Sequence, residues 1–178
     1  NDGNISKEKL ENCINSDLAN NYGNLCQRVI SFSEKNTGLK IPQNDKFNEE
    51  DIKILNNFKS NFDQINDFID NQNINSYINF IVDQLFAANK YFNDQEPWKK
   101  KGDIKRLNTI VYVSLEIIRR ITIMLYPIIP STSLKVLKIF GIKENEIDFK
   151  TIIDNEFLKT NIKINKLEIL FKKIDKND

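Results

Sequence analysis

Along most of the chain, apolar residues recur every third or fourth position, the spacing of one face of an α-helix. Leu18, Tyr22, Leu25, Val29 and Phe32 form such a stripe, widened by Ala19, Gly23, Cys26 and Ile30. The pattern predicts a helix capped by Ser6, running to about Lys35 and stopped by Gly38. Lys40–Phe47, with Pro42, reads as a connection. Asn48 then predicts the cap of a second helix over Glu49–Asp70, its apolar line being Ile52, Leu55, Phe58, Phe62, Ile65 and Ile69. A third begins at Asn73 or Asn75, with Tyr77, Ile78, Ile81, Val82, Leu85, Phe86 and Phe92 facing inward. Pro97 ends it, because the proline ring disfavours helical backbone at Glu96.

Asp103 caps a fourth helix that reaches Tyr126 and is apolar nearly all round, which predicts the central helix. Glu116, Arg119 and Arg120 in its middle argue against a membrane span. Pro127-Ile-Ile-Pro130 reads as a buried turn between core helices rather than a polyproline ligand. A short helix follows to Phe140, with Gly141 as its stop. Beyond it lie a weaker helix near Asp148–Lys159 and a last apolar run, Leu167, Ile169, Leu170, Phe171 and Ile174. No segment alternates with period two, so the expected fold is an all-α bundle of about five helices joined by short loops. Residues 1–178 are expected to form one domain, with 143–178 as its C-terminal extension.

Composition agrees with a globular domain: 40% hydrophobic, 29% charged, and only 5 Gly and 4 Pro in 178 residues. The net charge of +1 hides an asymmetry. Residues 1–98 carry 9 Lys/Arg against 15 Asp/Glu, a balance of −6, and residues 99–178 carry 17 against 10, a balance of +7. The sign changes at the single Trp, where Lys99, Lys100 and Lys101 follow Trp98. Such a patch is either the solvated start of a helix or a contact for a phosphate backbone. The absence of His removes imidazole bases, His metal sites and His triads. Cys13 and Cys26 share one expected helix, so neither a disulfide nor a metal knuckle is implied, and a reducing compartment is expected. No signal peptide is expected at the polar start of the sequence.

Opposite the apolar stripe of the first helix, Asn20, Asn24 and Arg28 stand one turn apart, flanked by Asn21 and Gln27. Two readings stand. A polar stripe is what any surface helix carries, and an Asn-rich composition weakens the case for selection. Yet Asn is a mediocre helix former, and carboxamides in line with a guanidinium make an array of forked donors and acceptors suited to a flat polar ligand. Trp98 is similarly open: a lone Trp is usually packed, but a Pro before it and lysines after it place it at a helix junction. Enzymatic chemistry is missing throughout. There is no Gly-rich phosphate loop, no pair of carboxylates spaced for an apolar pocket, and no base beside Ser131, Thr132 or Ser133.

With these residues in view, the chain resembles the C-terminal anticodon-binding domain of methionyl-tRNA synthetases. NSDLANNYGNLCQRV (Asn15–Val29) is similar to that domain's opening helix, and FAANKYFNDQEPWKK (Phe86–Lys100) to its Pro-Trp segment. Ile104–Ile142 is similar to its long helix, Pro-x-x-Pro turn and following helix. Leu167–Asp175 matches the family's terminal motif weakly, with Lys172 where a Pro and Lys173 where an Arg would stand. Synthetases for valine, isoleucine, leucine and cysteine share the helical fold. The combination of Gly-Asn-Leu-x-x-Arg with Glu-Pro-Trp points to methionine.

The resemblance implies a part of a methionine–tRNA ligase that reads the CAU anticodon. The catalytic half, with ATP and Mg2+, would belong to the same polypeptide but lie outside this chain, whose own residues would need no cofactor. It implies that Asn24 and Arg28 bond the edge of the first anticodon base, with Asn20 beside them and Trp98, after Pro97, stacked on its face. Lys99, Lys100 and Lys101 are candidate phosphate contacts. This matches how single-stranded bases are recognised, by unstacking, aromatic stacking and edge bonding, with stacking worth about 1–3 kcal/mol. tRNA would be the partner, and a cytoplasmic location would follow. A related synthetase for another amino acid, or a helical domain whose groove binds protein rather than RNA, are the alternatives.

Overall fold

Six α-helices follow one another among the residues that the computed structural model describes, 18–61, 64, 74–153 and 157–164. They are α1 (Ala19–Asn36), α2 (Glu49–Ser60), α3 (Ile74–Gln95), α4 (Ile104–Leu125), α5 (Pro130–Ile139) and the single turn α6 (Lys150–Ile153). Short 3-10 turns at Pro97–Lys99 and Glu144–Glu146 join them. The one extended pairing among the described residues is an isolated bridge between Lys40 and Lys163. The all-α bundle is therefore the fold observed.

Helix α4 is the axis. Every residue from Thr109 to Leu125 is buried, and α1, α2, α3 and α5 all pack on it. Asp103 starts it, its side chain accepting the backbone N–H of Arg106 at 3.2 Å. Asn48 and Asp51 start α2 with reciprocal side-chain-to-backbone bonds, both 3.0 Å. Gly38 (φ 66°) and Gly141 (φ 75°) lie just past the ends of α1 and α5 in left-handed backbone that a Cβ disfavours.

Several expectations are corrected in detail. Glu116, Arg119 and Arg120 form a buried network inside α4. Glu116 accepts from Arg119 Nη2 at 2.6 Å, Arg120 Nε at 3.2 Å and the Leu158 backbone N–H at 3.0 Å. That last bond explains why no helix extends to Lys159. The Leu158 N–H goes to Glu116 and its carbonyl to Tyr112 Oη at 2.9 Å, so neither serves a helical ladder. Asp51 and Glu116 are thus carboxylates held within the core, both fully buried. Asp51 takes an inward place on α2 beside Ile54, Leu55 and Phe58, while Ile52 is left 46% exposed. In the Pro-x-x-Pro turn only Ile129 is buried. Pro127 and Pro130 are exposed, and Pro130 opens α5 at a position where its missing N–H costs nothing. Val82 and Phe86, expected inside, are exposed. The expected cap at Ser6, Cys13, most of Asn61–Asp70 and the run Leu167–Ile174 lie outside the described residues.

Candidate nucleic-acid interface

Two tyrosines fix the walls of the groove that holds the candidate residues. Tyr22 of α1 bonds Thr122, and Tyr77 of α3 donates to the Met124 carbonyl, both near the C-terminal end of α4. At the opposite end, Arg106 near the start of α4 donates to Gln95 at the end of α3, at 2.6 Å. Helices α1 and α3 thus run the same way, both antiparallel to α4, and their outer faces enclose an open groove of about 910 Å³. Asn24, Arg28, Ser31 and Lys35 line one wall, spaced by fours and threes, and Val82, Phe86, Asn89 and Asn93 line the other in the same rhythm.

Phe92, only 2% exposed, is the floor. The Arg28 guanidinium lies over its ring with Cζ 5.1 Å from the centroid, close enough for a cation–π contact. Phe32 and Trp98 meet the same ring edgewise, at centroid separations of 5.8 and 6.1 Å. Arg28 is also held from the side, Nη2 donating to Asn93 Oδ1 at 2.6 Å. Its planar fork is thereby oriented before any ligand arrives.

The Trp98 end of the groove is set by a tight reversal. Glu96 adopts left-handed backbone (φ 45°), a conformation that costs a residue with a Cβ about 1 kcal/mol. The turn after it closes with Lys99 N–H to Glu96 O at 2.9 Å and Lys100 N–H to Pro97 O at 3.0 Å. Pro97 is buried beneath the turn, and Trp98, 41% exposed, is turned into the groove. Behind it the Arg106 fork grips Asp51 at 2.7 and 3.0 Å, and Tyr91 donates to the same carboxylate. Burial pushes the Asp51 carboxyl up, but Arg106, Tyr91 and the Asn48 N–H outweigh it and hold it below the usual carboxylate range. This clamp ties the start of α2 to the end of α3 and the start of α4, on either side of the Trp98 turn.

Asn24, Arg28 and Trp98 thus share one groove although about seventy residues separate them. Asn20 is exposed on the same helix, outside the groove-lining set, where Asn21 and Gln27 appear instead. Lys99 and Lys101 are exposed and Lys100 half-buried; Lys99 pairs with Glu96 at 2.8 Å. Two contributors were not visible in the sequence pattern: Phe92 as the floor, read only as core, and Asn93 as the tether of Arg28. Both sit at the right phase of α3, but their roles depend on a helix sixty residues away. Among the described residues no cluster of side chains could hold a metal ion, and no helix is long and apolar enough to cross a membrane.

The chain is similar to known proteins in both sequence and fold. A family model described as the anticodon binding domain of methionyl tRNA ligase matches residues 41–178. The methionine–tRNA ligase of Brucella suis biovar 1 is 36% identical over 153 residues, which is 85% of this chain and 30% of that protein. That of Thermotoga maritima is 33% identical over 180 residues, 99% of this chain and 28% of its own length. The chain therefore spans about a third of the curated relatives it matches. The structure of Mycobacterium tuberculosis methionyl-tRNA synthetase in complex with methionyl-adenylate superposes with a TM-score of 0.83 at 28% identity, covering 91% of this chain and 32% of that one. In sequence and in fold alike, the chain belongs to the family of methionyl-tRNA ligase anticodon-binding domains.

Proposed function

We propose that the groove between α1 and α3 reads the CAU anticodon of methionine tRNAs, as the C-terminal part of a methionine–tRNA ligase. The observation that carries the reading is the placement of Arg28 and Trp98 against Phe92 in a groove that Asn24 also lines, in a chain of this family. The first anticodon base, unstacked from its loop, lies against the exposed part of Trp98. Its edge, an amino donor beside two acceptors, is met by the Asn24 carboxamide and the Arg28 fork. Asn20 extends the polar row at its outer end. Pro97, buried and conformationally fixed, sets the height of the indole. Lys99, Lys100 and Lys101 supply positive charge for the loop phosphates.

Residues 1–178 act as one anticodon-binding domain, and 143–178 extend it; the burial of Leu158 and Ile164 in the same core supports this. The partners are tRNA and the catalytic part of the same polypeptide, which uses ATP and Mg2+ to join methionine to the tRNA. The compartment is the cytoplasm, in keeping with a free, buried Cys26.

The test is titration of the chain with an anticodon stem-loop at low salt. Changing the first anticodon base from C to U leaves a buried donor or acceptor unpaired, which costs roughly 1–3 kcal/mol, and affinity is expected to fall accordingly. Trp98→Ala is expected to abolish anticodon-dependent binding with the helical content unchanged. Equal affinity for C, U and G at that position would refute the reading.

A further inference from the structure

Phe86 is the most exposed large apolar side chain among the described residues, at 73%, and it lies in this same groove. A solvent-facing helix position is ordinarily filled by Glu, Lys or Gln, and a bare ring there forgoes the gain of burial. Val82, one turn before it, is exposed as well, at 36%. The two sit on the α3 wall in line with Asn89 and Asn93.

The position of Phe86 relative to Trp98 is informative. Arg28 and Asn93 are bonded across the groove, and α1 and α3 run in the same direction. Two turns back along each helix stand Asn21 and Phe86, both lining the groove. Seven residues of helix advance about 10 Å, farther than one base ring reaches. The groove therefore carries two exposed aromatic rings at different levels: Trp98, which meets Arg28 through Phe92, and Phe86, which helix register sets level with Asn21. The geometry points to a second nucleotide subsite, in which Phe86 is the platform for another unstacked base of the same RNA and Asn21 meets its edge. This rests on the reading of the groove as an anticodon site, and it names a residue that reading does not use.

Charge favours RNA over an apolar protein helix as the occupant. The groove-lining residues include the cations Arg28 and Lys35 and no carboxylate, and the other polar ones are carboxamides and a hydroxyl. An uncharged Phe86 end and a cationic Trp98 end fit bases along the length of the groove, with the backbone entering beside Lys35 and the lysines after Trp98.

The experiment uses the 178-residue chain and a CAU-loop hairpin carrying 2-aminopurine at each loop nucleotide in turn, outside the first anticodon base. Stacking changes the fluorescence of that base analogue. The expected result is one nucleotide whose signal changes on binding, loses that change in Phe86→Ala and recovers it in Phe86→Tyr. Phe86→Ala is expected to weaken affinity roughly ten-fold, and Asn21→Ala to weaken it less at the same nucleotide. Phe86 is exposed, so the thermal melt of each variant should match the parent chain. Wild-type affinity and an unaltered fluorescence profile in Phe86→Ala, with binding still lost in Trp98→Ala, would overturn the second subsite and leave the first. Failure of the parent chain to bind the hairpin at low salt would overturn both.

Discussion

Arg28 of α1 donates Nη2 to Asn93 Oδ1 of α3 across a 2.6 Å gap, directly above the buried ring of Phe92. The bond joins the two walls of the groove and fixes the plane of the guanidinium. A fork held in advance loses less side-chain entropy when it bonds a ligand. Recognition and rigidity thus come from the same contact.

Arg28→Lys is expected to weaken stem-loop binding ten-fold or more, although the charge is kept. A lysine offers no planar fork for the base edge and no flat face for Phe92. Asn93→Ala leaves the charge and the fork but frees the guanidinium to rotate, so a loss of only a few-fold is expected. Fluorescence anisotropy on the two variants checks the order. Parent-like affinity in Arg28→Lys would mean that Arg28 acts as a point charge.

The bundle and half of this groove were legible in the sequence, for a physical reason. Helix α4 is apolar on every side, and the polar row of α1 repeats at helical spacing, so local pattern alone reveals both. Phe86 and Val82 were not legible. Their residue type says core and their phase borders the buried stripe, so only the path of α1 beside them decides that they face the groove. The burial of Asp51 and the contact of Glu116 with Leu158 escaped for a related reason, although the pairing of Glu116 with Arg119 and Arg120 is at helical spacing. The partners Tyr91, Arg106 and Leu158 lie 40 to 55 residues away, and spacing within one helix carries no sign of them.

Asp51 makes the chain sensitive to acid. Its carboxyl titrates below the usual range when folded, whereas in the unfolded chain it titrates at about 3.9. The stability it contributes is therefore fully present above about pH 4 and is lost as the pH falls through the lower, folded value. Urea denaturation of the parent chain and of Asp51→Asn at several pH values checks this. The variant is expected to be less stable by about 1.5–3 kcal/mol at neutral pH, and the gap should narrow below about pH 4. A gap that stays constant down to pH 2 would show that the ion pair with Arg106 contributes nothing.

Glu116 is the acid that offsets two buried arginines. Burial lowers the Arg120 guanidinium pKa and Glu116 opposes that shift, so this carboxylate compensates the charge that Arg120 keeps in the core. Glu116→Ala strips the compensation and also the acceptor of the Leu158 N–H. Removing one partner of such a buried pair costs about 3–5 kcal/mol. Glu116→Gln keeps the volume and one acceptor and is expected to lose less. Hydrogen exchange at the Leu158 amide gives a local readout, expected to rise in both variants and most in the alanine.

Cys26 reports on opening of the α1 wall. Burial pushes its thiol up to about 12, and its side chain is fully enclosed beside Tyr22 and Val29. Almost no thiolate forms at pH 8, and the thiolate is the species that alkylates. Iodoacetamide labelling in the native chain, followed by peptide mapping, is expected to be at least about a thousand-fold slower at Cys26 than in urea, the protection of a site that reacts only through opening. Binding of the CAU hairpin across α1 and α3 should slow it further, because a ligand that bridges both walls stabilises the closed state by mass action. Labelling of Cys26 at the rate of an exposed thiol would mean that α1 leaves α4 readily and that the groove is not formed in advance.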